Sequence, residues 1–292
     1  MLFTLMVLLL AGSLVEKTGT YPPESAHLLG TEAVVPLHWD LPGKDFYLTV
    51  TASGRTVFQG AVTGNRYDLP VRSGSLVRWN VVPVGQGGQE GVFHSFQYSN
   101  QSVFHFQGKT PVPRANPPQA LDGMPGPHGV EGPSIVVQLQ QTSDGVSLQV
   151  ENQKYLLLPS TRPILIESVG SDGGSGNAGQ QGMAGSGLNT GSTQSMMYLN
   201  GGPGGNGGDG GHGGRGGLIT VYSNGLPVEP FVQFDVRGGG PGLPGPGGPG
   251  GAAGFAQTRG NSYGTLVGQV GPPGQAGRPG QPGPPGQVII RP

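Results

Sequence analysis

The chain of 292 residues contains 59 glycines and 29 prolines, so these two types make up about 30% of it, against roughly 12% in average proteins. It carries 15 basic and 16 acidic side chains, a formal net charge of −1. No basic stripe is present, which argues against nucleic-acid binding. The chain has no cysteine, which excludes disulfides, thiolate metal sites and cysteine nucleophiles.

Glycine is unevenly distributed, because 41 of the 59 glycines lie between Gly170 and Gly286. Their density there approaches the one third of a Gly-x-y polymer. The remaining sequence has the composition of ordinary globular protein. The chain therefore combines a globular part with a glycine-repeat part. A single enzyme core is not expected, because half the sequence lacks the side chains to fill one.

The first segment, residues 1–30, is predicted to be a signal peptide and linker. The apolar stretch from Leu2 to Ala11 is too short to span a bilayer but has the length of a signal-peptide core. Ala11 and Ser13 place small residues at the −3 and −1 positions of a cleavage site after Ser13. No lysine or arginine precedes the stretch, so a buried N-terminal element of a cytoplasmic protein is the alternative. The leader favours a secreted or cell-surface protein.

Residues 31–109 are predicted to form a small β-sandwich, because short alternating segments are separated by turn residues. Val92–Phe106 is expected to supply a hairpin about Asn100. The other predicted strands are Ala33–Trp39, Phe46–Val50, Thr56–Thr63, Tyr67–Val71 and Leu76–Val84.

Four short patterns of this unit resemble the fibronectin type III-like modules of bacterial surface proteins. They are Leu37-His38-Trp39, Phe46-Tyr47-Leu48-Thr49-Val50, Tyr67-Asp68-Leu69-Pro70 and Arg78-Trp79-Asn80-Val81. The resemblance implies a β-sandwich. It implies no chemistry, since such modules are usually spacers or binding domains.

A Pro-rich linker is predicted over residues 110–122, and residues 123–292 repeat glycine at every third position. The repeats form a short stretch and four longer ones, namely Gly123–Gly132, Gly170–Gly185, Gly201–Gly217, Gly239–Gly254 and Gly268–Gly286. Period three matches the polyproline-II helix, which has no internal hydrogen bonds and needs water or neighbouring segments as partners.

The stretch Gly201–Gly217 has glycine on two of its three faces, which predicts a central rod that contacts several neighbours. Its structural glycines include Gly204, Gly205, Gly207, Gly208, Gly210 and Gly211. The third face is expected to point to solvent and carries Pro203, Asn206, Asp209, His212 and Arg215. An intrachain polyglycine-II bundle is favoured, with a collagen-like trimer and disorder as alternatives.

The repeats alternate with predicted strands, so the fold class is mainly β: a sandwich followed by a polyglycine-II bundle with interleaved strands. The strands are Ile135–Leu139, Val146–Val150, Pro163–Val169, Leu218–Tyr222, Phe231–Val236 and Val288–Ile290. Two 13-residue loops, Leu188–Asn200 and Phe255–Val267, each join an outgoing rod to a returning rod and should lie at the same far end. This architecture resembles glycine-rich surface proteins of bacteria and the receptor-binding adhesins at the tips of T-even-type phage tail fibres.

No catalytic residue, cofactor or metal site is predicted. Gly260-Asn261-Ser262-Tyr263-Gly264 matches the hydrolase motif G-x-S-x-G, but no helix is expected after the serine. The segment Gly204–Asp209 lacks the apolar residue of a calcium-binding repeat, because Gly211 holds that place. His94 and His105 are expected to be packed or surface residues.

The candidate binding residues lie in the two loops, because loops held on a rigid scaffold carry recognition. They are Met196, Met197, Tyr198, Phe255, Arg259 and Tyr263. A hydrophobic plug that caps the rods is the alternative role. The sequence predicts a non-enzymatic extracellular structural or adhesive protein. Its expected partner is a protein or glycan of a cell surface, or further copies of itself as a filament or coat. It is not expected to be an integral membrane protein.

Overall fold

The computed structural model describes residues 20–31, 33–85, 93–113, 115–116, 121–158, 161–186, 199–258 and 264–292. These ranges contain seventeen strands and no helix, so the prediction of a mainly β protein is confirmed. A membrane-crossing helix is accordingly absent from the described ranges. The predicted leader, Leu2 to Ala11, lies outside them.

The N-terminal strands are β1 (Ala26–Gly30), β2 (Val34–His38), β3 (Asp45–Ala52), β4 (Arg55–Thr63), β5 (Arg66–Pro70), β6 (Ser75–Pro83), β7 (Phe93–Asn100) and β8 (Val103–Gln107). The next strands are β9 (Ile135–Thr142), β10 (Gly145–Val150), β11 (Gln153–Leu157), β12 (Ile164–Val169) and β13 (Leu218–Tyr222). The last strands are β14 (Val232–Asp235), β15 (Phe255–Thr258), β16 (Gly264–Val267) and β17 (Gln287–Arg291).

One large sheet runs through both predicted units, in the order β17-β13-β9-β10-β11-β1-β7-β6-β3-β4. Strand β1 joins the two halves, because it pairs in parallel with β7 on one side and with β11 on the other. Ala26–Gly30 therefore forms a central strand, whereas it was placed in the predicted signal peptide and linker of residues 1–30. Leu28 and Leu29 are both fully buried, each in a different core on opposite sheet faces, so this strand shows no alternation of polar and apolar residues.

The first core lies between this sheet and the two-stranded sheet of β2 and β5. Val35, Leu37 and Leu69 of the smaller sheet face a cluster that contains Trp39 and Trp79, whose ring centroids are 6.1 Å apart. These large aromatic side chains bury much apolar surface, which explains how a short unit can have a core of its own.

The second core lies on the opposite side, beneath a three-stranded sheet in the order β14-β12-β8. The predicted hairpin about Asn100 is not formed, because β8 leaves β7 and pairs in parallel with β12, with Val103 opposite Leu165. Strand β11 was also not predicted, and its Leu156 and Leu157 face the two different cores.

Five glycine-repeat segments, here called runs, extend from the second core. They are run 1 (121–134), run 2 (170–186), run 3 (199–217), run 4 (236–254) and run 5 (268–286). Runs 1, 3 and 5 lead into β9, β13 and β17, which are neighbours in the large sheet. Runs 2 and 4 leave β12 and β14, which are neighbours in the small sheet. The two layers of strands thus continue as two layers of runs.

The backbone hydrogen bonds of the runs go to other runs. Each of runs 2 to 5 donates to the antiparallel run before it; the amide of Gly208, for example, donates to the Asn177 carbonyl at 2.8 Å. Runs 1, 2 and 3 also donate to the parallel run two places later, as Gly207 does to the Gln275 carbonyl at 2.8 Å. Run 3 therefore bonds to all four other runs.

Glycine is required in run 3 because other backbones occupy the space of a side chain. A Cβ at Gly204, Gly205, Gly207, Gly208, Gly210 or Gly211 would overlap a carbonyl oxygen of run 1 or run 4. The third face of run 3 is exposed from Pro203 to Arg215, as predicted. Close approach, and not turn geometry, accounts for these glycines.

Run 5 forms the open edge of the array. Its residues at two of every three positions are exposed, and many of them are prolines. The proline positions are Pro272, Pro273, Pro279, Pro282, Pro284 and Pro285. Proline has no amide hydrogen, so it is placed here where no run needs a donor.

Replacement of Gly207 by valine should destabilise the protein by about 3 kcal/mol or more, because the new side chain would overlap the carbonyl of Gly245. Arg215→Val on the exposed face of the same run is the matched control and should change stability by less than about 0.5 kcal/mol. Denaturant unfolding measures both. Equal effects of the two substitutions would contradict the packing described here.

The hydrogen bonds of the runs join segments of one chain, so the melting temperature should not depend on protein concentration. Scanning calorimetry over a hundredfold concentration range, with light scattering for the mass, tests this. A trimer that dissociates as it melts would support the collagen-like alternative.

Candidate binding tip

The end of the array farthest from the ten-stranded and three-stranded sheets is here called the tip. Runs 2 and 3 are joined there through residues 187–198, and runs 4 and 5 are joined by the hairpin of β15 and β16. The stems of both connections are bonded together, since the amide of Gly254 donates to the Leu199 carbonyl at 2.7 Å and the amide of Gly268 donates to the Gly254 carbonyl at 2.9 Å. Both connections therefore leave the same end of the array.

The segment Phe255–Val267, predicted as a loop, begins and ends with paired strands. Phe255 lies opposite Val267 in the antiparallel ladder, and the two are 65% and 70% exposed. The hairpin thus presents an aromatic and an aliphatic side chain side by side to solvent.

The base of the tip is held by a buried side chain and by hydrogen bonds between runs. Leu199 is only 1% exposed, and the Asn200 side chain accepts a hydrogen bond from the Gln269 amide at 2.8 Å. On run 2, the Met183 carbonyl accepts from the Gly202 amide at 2.7 Å while its side chain is 78% exposed. Exposed apolar groups are therefore carried on a fixed backbone.

Of the six predicted binding residues, Phe255 lies in the described part of the chain. Met196, Met197, Tyr198, Arg259 and Tyr263 fall outside the described ranges, as does Ser262 of the G-x-S-x-G match. The plug alternative fits Leu199, which is buried. It does not fit Phe255 or Val267, whose exposure favours a contact surface.

The two singled-out histidines lie far from the tip, and each pairs with a carboxylate. His94 stacks on Trp79 with ring centroids 4.9 Å apart, and its Nδ1 is 3.8 Å from Glu24 Oε2. Hydrogen bonds from the Ser95 hydroxyl and amide, helped by His94, lower the pKa of Glu24. His105 Nδ1 lies 2.7 Å from Glu167 Oε2. Among the described residues no three metal-binding side chains come together.

One polar pair was missed because β1 was predicted to be linker. His27 Nε2 lies 2.8 Å from Ser99 Oγ on the neighbouring strand β7, and burial lowers the pKa of His27. His27 also contacts the Tyr155 ring, with centroids 4.6 Å apart. The pair ties β1 to β7 at the centre of the large sheet.

No protein-family model, curated protein or solved structure matches this chain. The resemblances noted in the sequence therefore rest on repeat architecture and on short hydrophobic patterns. The tip is the candidate site on the strength of its geometry alone.

The two roles of apolar residues at the tip can be separated by stability measurements. Leu199→Ala should cost about 2–5 kcal/mol, because it empties a buried position. Phe255→Ala should leave the free energy of unfolding nearly unchanged, because the ring is mostly in water. A large loss for Phe255→Ala would indicate that the hairpin is a cap and not a contact surface.

Proposed function

We propose that this chain is a non-enzymatic extracellular structural or adhesive protein that presents its tip loops on a rigid glycine-rich bundle. The observation that carries the proposal is the combination of a cross-bonded array with exposed Phe255 and Val267 at its far end. A rigid scaffold lowers the ordering cost of the loops it holds, and aromatic residues are enriched at binding hot spots.

We further propose that the runs are polyglycine-II helices. The period of three, the absence of bonds within a run and the bonding to parallel and antiparallel neighbours support this assignment. At about 3.1 Å per residue, six triplets would make a rod of roughly 55 Å. The sandwich of β2–β7 is proposed to be fibronectin type III-like, supported by its two buried tryptophans and its sequence patterns.

The proposed partner is a protein or glycan of a cell surface. The architecture is similar to that of T-even-type phage fibre-tip adhesins and of glycine-rich bacterial surface proteins, in which loops sit at one end of the rods. Secretion or display at the cell surface is proposed from the apolar segment Leu2 to Ala11.

A self-assembling filament or coat subunit is the second candidate, favoured by one observation. Strand β17 is the outer strand of the large sheet, and all five of its residues are exposed, including Val288, Ile289 and Ile290. An exposed apolar edge strand can pair with another chain. A filament subunit would assemble without any ligand, whereas an adhesin would stay soluble and bind cells.

The triple variant Tyr198→Ala, Tyr263→Ala and Phe255→Ala should weaken attachment while leaving the melting temperature nearly unchanged. Replacement of residues 187–198 and 259–263 by Gly/Ser segments of equal length should abolish attachment. Binding to whole cells and to a glycan array provides the measurement. Phe93→Ala is the matched control, because this ring is equally exposed but belongs to β7.

Normal attachment of the loop-replaced protein would contradict the proposal that the tip binds the partner. Filaments seen by electron microscopy without ligand, and persisting after loop replacement, would favour the second candidate instead.

A further inference from the structure

Runs 3 and 5 carry an additional set of hydrogen bonds on their exposed face. Side chains of run 3 accept hydrogen bonds from backbone amides of run 5, a feature here called the ladder. Its four bonds are Gln269 to Asn200 Oδ1 at 2.8 Å, Gln275 to Asn206 Oδ1 at 2.9 Å, Arg278 to Asp209 Oδ1 at 2.7 Å and Gln281 to His212 Nδ1 at 2.8 Å. Asn, Asp and His share an acceptor at the same δ position, so all four bonds have one geometry.

At the two remaining positions of the ladder, run 3 has no acceptor and run 5 has no amide hydrogen. Pro203 and Arg215 offer no side-chain acceptor, and the residues of run 5 at the corresponding spacing are Pro272 and Pro284, which have no amide hydrogen. Every amide hydrogen of run 5 on this face therefore meets an acceptor, and every missing acceptor meets a proline.

The glycine hydrogen bonds alone cannot fix how the runs align. Glycine recurs at every third residue, so sliding run 5 by one triplet would recreate the same backbone bonds. The same slide would break part of the ladder. In one direction Asn200 and His212 would face Pro272 and Pro284; in the other, Asn206 would face Pro272, and Asn200 would face Leu266, which lies beyond run 5. The side chains thus carry the information on alignment that the repeat lacks.

One position of the ladder extends across three runs through two histidines. The amide of His212 donates to His128 Nδ1 of run 1 at 2.9 Å, and His212 Nδ1 in turn accepts from the Gln281 amide. The two rings stack with centroids 4.8 Å apart and planes 4° from parallel. Because both Nδ1 atoms accept, both rings must be neutral with their hydrogen on Nε2.

We propose that the ladder is a register lock between runs 3 and 5, and that the His128–His212 pair makes this lock sensitive to acid. Protonation would place a hydrogen on Nδ1, facing the backbone amide that it must accept from, and would bring two like charges together. The array therefore holds the neutral form of both rings, and this part of its stability is lost when either ring is protonated.

The charged groups nearest along the same face are of both signs. Asp209 and Arg215 lie one triplet to either side of His212 on run 3. Glu131 follows His128 on run 1, and Arg278 precedes Gln281 on run 5. The balance of two acidic and two basic neighbours leaves the loss of the acceptor as the main consequence of protonation.

Hydrogen exchange tests the acid-sensitive part on the intact protein. Between pH 7.5 and pH 5, protection factors of the His212 and Gln281 amides should fall by about fivefold or more, while those of Asn206 and Gln275 hold. In the variant His128→Asn with His212→Asn, the amide oxygens keep the acceptors and do not titrate, so the fall should vanish. His105→Asn, which lies outside the array, is the control and should behave like the wild type. An equal fall in the asparagine variant, or none in the wild type, overturns the acid-sensitive lock.

Disulfide trapping tests the register lock, since the chain has no native cysteine. The pair Pro203→Cys with Pro272→Cys lies in register and should cross-link, whereas Pro203→Cys with Gln275→Cys is one triplet off and should not. Adding Asn200→Ala and His212→Ala, which removes the two acceptors that this slide would place against Pro272 and Pro284, should make the off-register pair cross-link, while adding Arg215→Ala should not. If the off-register pair stays unlinked after removal of both acceptors, the ladder does not set the register. Neither experiment alters Phe255 or the other predicted binding residues, so failure here is distinct from failure of the proposed function.

Discussion

The array depends on one constraint: a run makes its backbone hydrogen bonds to other runs, so no run is satisfied alone. Helices and hairpins close bonds within a short stretch of chain, but Gly170 in run 2 bonds to Arg237 in run 4, far along the sequence. The runs must therefore approach one another closely, and this approach is what excludes Cβ atoms from positions such as Gly207. Glycine content, exposed proline and the ladder all follow from that requirement.

The runs also explain why so many strands of the C-terminal half are parallel. Parallel neighbours need a long connection, which is usually a helix. Here a pair of antiparallel runs makes the connection. Runs 2 and 3 link β12 to β13, and runs 4 and 5 link β14 to β17, in each case across the two layers. Strands β9, β13 and β17 then enter the large sheet in the same direction. The second core is thus organised by segments that contribute almost no apolar side chains to it.

Much of this could be predicted from the sequence, because period two and period three are strong signals. Leu218–Tyr222 was predicted with its observed bounds, and the exposed face of run 3 was predicted from the placing of Pro203 and Arg215. The failures have a common cause. In β1 and β11, consecutive leucines face two cores, so that neither strand alternates, and the partner of β8 is set by packing with β12 and not by its neighbour β7.

The ladder was not predicted, because its logic appears only when two runs are laid side by side. The prolines of run 5 have a related effect at the rim of the molecule. Pro273, Pro279, Pro282 and Pro285 leave an outward margin that has carbonyl acceptors but few amide donors. Two such margins brought together would oppose oxygen to oxygen. The prolines of run 5 therefore oppose sideways propagation of the repeat from this edge of the molecule.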